Sequence, residues 1–281
     1  MEKLSICVIC GSKNVTTKTK INDHAFSNKE FGVSRCNSCL VLFTSPRPKK
    51  NEIIKYYNLN KYDSYDTSVG LWGVLYRFSQ KINNYYKVGV LKKHHMGSLL
   101  DYGSGAGSFV EYSNQKGFVS MGYEPINKTH AKGTVNTDGY LNNKYDWITM
   151  WHVLEHTHNP ANTVKKLSGL LKKGGLMAIA LPNNNSYDNF YYKNYWAGYD
   201  VPRHLFHFNR KSFFCFSKYL KLEIIEEKPL LLDSIYVSML SEKYKKSPFS
   251  YLFGFIVGLV SNISALITGN YSSIIYILRK C

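Results

Sequence analysis

The chain has 281 residues, 44% of them hydrophobic, and a net charge of +17. That is room for one large domain, or one domain and a small module, and it excludes a chain too polar to bury a core. The charge implies an acidic partner or surface (nucleic acid, anionic lipid or an acidic glycan), although lysines never run longer than two, so a dispersed compositional bias accounts for it equally well.

Met1-Glu2-Lys3 leads into a short apolar run rather than the long one of a secretory signal, so a cytoplasmic protein is expected. Four of the six cysteines then fall in two pairs, Cys7-Val8-Ile9-Cys10 and Cys36-Asn37-Ser38-Cys39, with 25 residues between them. In a reducing compartment this spacing points to metal rather than to disulfides. Four thiolates can close a tetrahedral zinc site and leave no open position, so the ion is expected to be structural. Residues 1–45 are therefore read as a zinc-ribbon-like module, with Gly11 turning the chain and short strands at Val33 and Leu40–Phe43.

Residues 46–96 read as a linker and a helical lead-in. Pro46 and Pro48 stop regular structure. A short helix is expected at Glu52–Tyr57. A longer one is expected at Val69–Lys93, where Leu71, Leu75, Phe78, Ile82, Tyr85 and Tyr86 recur at helical spacing. Its aromatic residues are expected in the core.

The stretch Ser98–Gly107 reads as strand, tight turn and helix start. An apolar run ends in Asp101, and glycines follow at 103, 105 and 107. Glycine accepts positive φ and lets backbone approach a ligand closely. A carboxylate two residues before the first glycine would repel a pyrophosphate but suits a ligand bearing an ammonium group and ribose hydroxyls. Phe118–Tyr123 is the next strand, and Glu124 follows 21 positions after Gly103, where an acidic side chain can accept from both ribose hydroxyls. A helix at Asn127–Lys132, a weak strand at Thr134–Asn136 and a strand at Tyr145–Met150 come next. Pro160–Leu171 reads as a helix closed by Gly174-Gly175, and Leu176–Leu181 as a fifth strand. Strands alternating with helices imply a parallel sheet covered on both faces, with ligands beyond the carboxyl ends of the strands. Asp101, Glu124 and Trp151-His152 all fall there.

Asp101-x-Gly103-x-Gly105-x-Gly107, Glu124, and Tyr145–Met150 followed by Trp151-His152-Val153-Leu154-Glu155-His156 resemble class I S-adenosylmethionine (SAM) methyltransferases over residues 97–182. The resemblance implies an α/β fold with a Rossmann-like, doubly wound, seven-stranded sheet and an antiparallel last strand. Leu222–Pro229 and Ser272–Lys280 fit the last two strands. It also implies SAM as cofactor. Asp101, Gly103 and Gly105, with Tyr102, Ser104 and Gly107, would line its methionine part. Glu124 would hold the ribose, Asp138-Gly139-Tyr140 would lie near the adenine, and Met150 and Trp151 would flank the cofactor.

The methyltransferase domain is expected over 97–281, with an apolar insert at about 232–270. Ser247–Leu278 holds 32 residues without a charge, and Phe249–Ile267 is long and apolar enough to span a bilayer. Between two neighbouring strands of one sheet a span is topologically implausible. The insert is expected instead to cap the site, to lie in a membrane interface or to form a dimer contact.

Methyl transfer from a sulfonium mainly requires alignment of the acceptor, and a hydroxyl acceptor gains from a base near neutrality. His204 is the first candidate base and His152 the second. His156 lies four residues after His152 and would share its face on a helical turn. Pro202-Arg203-His204 resembles a segment of bacterial methyltransferases that modify sugars, and Arg203 is expected to hold an acidic group on the acceptor. The four-cysteine module resembles those of sugar C-methyltransferases and of RNA guanine methyltransferases. The expected function is methylation of a small molecule or glycan, at oxygen, in surface-polysaccharide or lipid-linked metabolism, with peripheral contact to anionic membrane. RNA base methylation and a non-catalytic binding module are the alternatives. No basic-aromatic recognition motif favours nucleic acid.

Overall fold

The computed structural model describes residues 1–57, 71–125, 134–135 and 138–281, with backbone alone at 71–79, 134–135 and 138. The helix expected at Asn127–Lys132 and residue Asn136 lie outside these described residues.

The chain begins with three antiparallel strands, β1 (Val15–Asn22), β2 (Glu30–Cys36) and β3 (Leu42–Thr44). Helix α1 (Leu71–Lys92) leads to β4 (Ser98–Tyr102), α2 (Ser108–Gln115), β5 (Val119–Tyr123), β6 (Thr134–Val135) and β7 (Tyr145–Trp151). Then come α3 (Pro160–Ser168), β8 (Leu171–Pro182), α4 (Tyr187–Tyr192), β9 (Phe206–His207), α5 (Arg210–Tyr219) and β10 (Leu222–Pro229). The helices α6 (Leu231–Tyr244) and α7 (Ser250–Thr268) precede the last strand, β11 (Ser273–Lys280).

Seven strands form the central sheet in the order β10-β11-β8-β7-β4-β5-β6. The strands from β8 to β6 are parallel, and β11 runs antiparallel to both its neighbours. Central parallel strands are covered on both faces, so they read as unbroken apolar runs. Leu99 and Leu100 of β4 and Met177–Ala180 of β8 are all fully buried. Local signals start the helices. Asn159 caps α3 by accepting from Asn162 N–H at 3.0 Å, with Pro160 in the first turn, and Asn209 and Ser212 form a reciprocal capping box on α5.

Two expectations about these elements need correction. Gly174-Gly175 does not close a helix, because α3 ends at Ser168 and the pair lies inside β8. Gly174 has φ +78°, and the β7–β8 register slips between Tyr145 and Trp147. A Cβ at Gly175 would stand 3.0 Å from the Tyr145 carbonyl, so the pair makes a bulge where strands approach closely. On α1, Tyr85 is 70% exposed and Ile82 41%, while Asn84, Val88, Val90 and Leu91 face inward. Tyr86 does pack against the core beside Val88 and Leu91, and the side chains of Leu71, Leu75 and Phe78 lie outside the described residues.

The cysteine module does not stand apart. The loop between β8 and α5 returns β9 to the edge of the N-terminal sheet, giving the order β1-β2-β3-β9. Cys7, Ile9, Cys36, Val41 and Phe43 share one core cluster with Leu100, Ile148, Met177 and Phe206. The boundary expected at residue 45 therefore divides elements that share a sheet and a core.

Helices α6 and α7 leave and return to one edge of the sheet, since β10 and β11 are paired neighbours. They pack closely because small residues line the contact: Ser234, Ser238 and Ser241 on α6, and Gly254, Gly258, Ser261 and Ala265 on α7, are buried. Asp188 of α4 anchors α7 from below, accepting from Ser261 Oγ at 2.8 Å, Ser272 Oγ at 2.7 Å and Trp196 Nε1 at 2.7 Å. The outer face of α7 stays apolar and open, with Leu252, Phe253, Ile256, Ile263, Leu266 and Ile267 exposed. By length and composition α7 could cross a membrane, at 19 residues and a mean hydropathy of 1.8.

Candidate active site

The carboxyl ends of β4, β5 and β7 bring the proposed cofactor residues together. Asp101 is paired in register with Thr149 of β7 and accepts its Oγ1–H at 2.6 Å. Burial pushes the Asp101 carboxyl up to about 6, against the opposing pull of that hydrogen bond and of the Lys87 charge. The chain then turns through Gly103, Gly105 and Gly107 at φ +81°, +52° and +78°, and Gly107 caps α2. Gly105 N–H donates to Glu124 Oε2 at 3.0 Å. The glycine loop and the carboxylate at the end of β5 are thus one hydrogen-bonded unit. Gly122 makes room for the half-buried Ser104, whose buried Oγ, like Trp151 Nε1, has no hydrogen-bond partner. These orphaned buried groups, beside a cradle of backbone N–H and two carboxylates, fit a polar cationic ligand such as SAM.

The flanks of this cradle are aromatic. Trp151 packs edge-on to Phe109 at 5.1 Å, and Lys87 Nζ lies 4.6 Å from the Trp151 ring. Tyr102, Tyr123 and Tyr140 form a cluster, with Tyr123 and Tyr140 centroids 4.4 Å apart and Tyr102 5.1 Å from Tyr123. Sequence reasoning named Tyr102 and, beside the adenine, Tyr140, and passed over Tyr123. The signal for Tyr123 was its place opposite Tyr102 at the ends of paired strands. The Met150 side chain is fully buried in the core, so it is the backbone there that borders the cradle. Asp138 opens a short turn, Asp138–Asn142, and its side chain lies outside the described residues.

The candidate bases separate in space. His152 has φ +55° and lies before a single 3-10 turn, Leu154–His156, so it does not share a helical face with His156. Its Nε2 is 2.9 Å from Asp233 Oδ2 on α6 and its Nδ1 is 3.4 Å from Glu155 Oε1. Burial alone would lower the imidazole, but the two carboxylates raise it to about 9. The two carboxylates favour the charged ring, and Asp233 and Glu155 hold both its nitrogens, where the reading as a base needs one turned to an acceptor. His156 faces the other way, against His204 at 4.6 Å, and burial with the nearby His204 pushes it down to about 4. His204 is 9% exposed, with Nδ1 2.9 Å from the Gly198 carbonyl.

Arg203 is not available to an acceptor. Its Nε donates to both Asp200 oxygens at 3.0 Å, Nη1 to the Tyr56 carbonyl at 3.0 Å, and Nη2 to Asp23 at 2.8 Å and to Asp200 at 2.7 Å. The side chain is a buried clamp rather than a substrate-binding group. A residue that sequence reasoning passed over takes the central position instead. Glu155 is 1% exposed; its Oε1 makes only the long 3.4 Å contact with His152 Nδ1, and Oε2 has no hydrogen-bond partner. Burial would raise its carboxyl, but neighbouring His152, His204 and His156 hold it below the ordinary value. Its signal was a carboxylate standing between His152 and His156. Glu155, Asn184, Trp196, His204 and His207 line a narrow crevice.

At the N-terminal module, Cys7 and Cys39 sulfurs are 3.6 Å apart and Cys10 and Cys36 sulfurs 3.5 Å apart, and all four lie within 4.8 Å of one another. None is in a disulfide. Zinc–sulfur bonds of about 2.3 Å in a tetrahedron separate sulfurs by about 3.8 Å, so the donor set fits that ion.

A family model described as "Methyltransferase domain" matches residues 47–214. Ubiquinone biosynthesis O-methyltransferase of Serratia proteamaculans is 28% identical over 106 residues, covering 32% of this chain and 44% of that protein. The chain thus spans less than half the length of that curated relative. Among solved structures, magnesium protoporphyrin IX methyltransferase from Synechocystis PCC 6803, with bound SAH, has 13% identity and a TM-score of 0.52, over 83% of this chain and 100% of that one. A SAM-dependent methyltransferase from Archaeoglobus fulgidus has 19% identity and a TM-score of 0.44, over 72% of this chain and 94% of that one. At 13% identity the likeness to the Synechocystis structure is one of fold.

Proposed function

The chain belongs to the methyltransferase domain family, and from that premise we propose that it is a SAM-dependent methyltransferase acting on a hydroxyl of a small molecule or glycan. The observation that carries this is the cofactor cradle, in which Gly105 N–H, Glu124 and the buried Asp101 converge at the carboxyl ends of β4 and β5. SAM would supply an electrophilic methyl group on a sulfonium. Asp101 would face its ammonium group, Glu124 the ribose hydroxyls, and the tyrosine cluster the adenine. Four cysteines would hold a structural zinc. The acceptor would enter the crevice at Glu155 and His204, and this cluster would take the hydroxyl proton. The O-methyltransferase name of the Serratia relative supports oxygen as the acceptor atom.

The open apolar face of α7 supports an acceptor at a membrane surface, as in lipid-linked or surface-polysaccharide metabolism on the cytoplasmic side. Calorimetry with SAH tests the cofactor reading: binding should be lost in Asp101→Ala and Glu124→Ala, and no binding to the intact protein would reject it. His204→Ala should keep SAH binding and lose turnover. Flotation with anionic liposomes at low salt tests the membrane reading, and protein left at the bottom of the gradient rejects it.

A further inference from the structure

We propose that Glu155, His156 and His204 form a second metal site, separate from the four cysteines, for a divalent transition-metal ion of the zinc or iron(II) class. One ligand atom from each residue lies within 4.8 Å of the other two. His156 Nδ1 is 3.1 Å from the Arg203 carbonyl, and His204 Nδ1 is 2.9 Å from the Gly198 carbonyl. A carbonyl only accepts, so the His204 ring carries its proton on Nδ1 and keeps the Nε2 lone pair free for a ligand bond. His156 Nδ1 also lies 3.0 Å from the Tyr57 hydroxyl, and the ring takes the same tautomer when that hydroxyl accepts. Metal-bound histidines are braced through the other ring nitrogen in this way.

Glu155 is an independent observation. It is 1% exposed; Oε1 makes only a long contact with His152, and Oε2 has no hydrogen-bond donor. A buried carboxylate oxygen without a donor is costly unless a cation meets it. His152 approaches only one oxygen, at 3.4 Å, and is itself turned toward Asp233. Two imidazole nitrogens and one carboxylate suit zinc or iron(II) better than magnesium or calcium, which prefer all-oxygen sets. Three protein ligands leave a position open, as catalytic sites do. That position would meet the crevice that Glu155 and His204 share with His207, whose Nδ1 is also buried and unpartnered. An acceptor oxygen bound there would lose its proton more readily. This use rests on the methyl-transfer reading, whereas the site itself does not.

Cobalt(II) titration of the chelator-stripped full-length protein, with elemental analysis of the zinc-loaded form, tests the site. Two ions per chain are expected. The first should give thiolate-to-cobalt charge-transfer bands from the cysteines, and the second only weak ligand-field bands. Glu155→Gln and His204→Gln should each reduce two ions to one and keep the thiolate bands, which also report that the module has folded. Saturation of the wild type at one ion, or two ions retained in Glu155→Gln, overturns the proposal. Should a variant fail to fold, the wild-type titration decides alone. SAH calorimetry on the same sample separates the readings. SAH binding with a single ion per chain removes the metal site and leaves the methyltransferase. Two ions without SAH binding does the reverse.

Discussion

Arg203 Nη2 lies 2.8 Å from Asp23 Oδ1, across 180 residues of sequence, and both side chains are almost wholly buried. Asp200 flanks the guanidinium on the other side. Asp23 also accepts from Phe26 and Ser27 N–H and from Ser27 Oγ, so its carboxylate is fully hydrogen-bonded. The bridge ties the turn after β1 to the loop that carries His204. Breaking a buried pair leaves an uncompensated charge and costs about 3–5 kcal/mol. Arg203→Met should lower unfolding free energy in urea by that amount, and adding Asp23→Asn should restore part of it. A loss under about 1 kcal/mol would contradict the clamp.

The shared sheet makes a second prediction. Thr44 N–H donates to the Leu205 carbonyl at 3.0 Å, and Thr44 Oγ–H to the His204 carbonyl at 2.8 Å. With zinc in the cysteine site, stripping it or replacing Cys39 by Ser should lower the melting temperature of the whole chain in one transition. Two transitions, with the upper one unmoved, would show an independent module.

Asp101 sets a pH dependence. Its carboxyl titrates near 6 in the folded chain against an ordinary 3.8. The raised value means that, without cofactor, this group favours the folded state at low pH and loses that contribution as pH rises from about 4 through 6. Cofactor binding has the opposite sign, because an ammonium group favours the ionised form. SAH affinity should therefore fall as pH drops below about 6, and Asp101→Asn should bind weakly without that dependence. Calorimetry at pH values on either side of the transition checks both. A wild-type affinity flat through this range would exclude Asp101 from the ammonium contact.

Two helical glycines should respond in opposite directions to alanine. Gly89 on α1 has nothing within 4 Å of a built Cβ, so Gly89→Ala should gain about 1 kcal/mol from helix propensity alone. At Gly258 a Cβ would lie 2.6 Å from Ile235 Cα and 2.8 Å from its N. Backbone cannot step aside, and overpacking of this kind costs about 1–3 kcal/mol. Gly258→Ala should therefore be destabilising despite the same propensity gain. Equal effects at the two positions, measured by thermal unfolding, would mean that α6 and α7 are less closely packed than described.

Much of this protein is legible from its residues in order. Alternation of apolar runs and helical patterns determines the layering of the sheet. Glycines at 103, 105 and 107 mark positive φ, which a local rule can read. Two cysteine pairs four positions wide declare themselves by spacing. Asp101 and Glu124 are placed by the ends of their own strands. What the tertiary structure decided concerns partners. Arg203 became a clamp because Asp23 and Asp200 surround it, and His152 is held in an ion pair because α6 brings Asp233 to 2.9 Å. Glu155 looked like one carboxylate among many until the fold buried it with only a long contact to His152 and no donor on Oε2. Side-chain identity and local spacing are properties of a few consecutive residues, whereas protonation and ligand capacity depend on which distant groups the fold brings within a few ångströms.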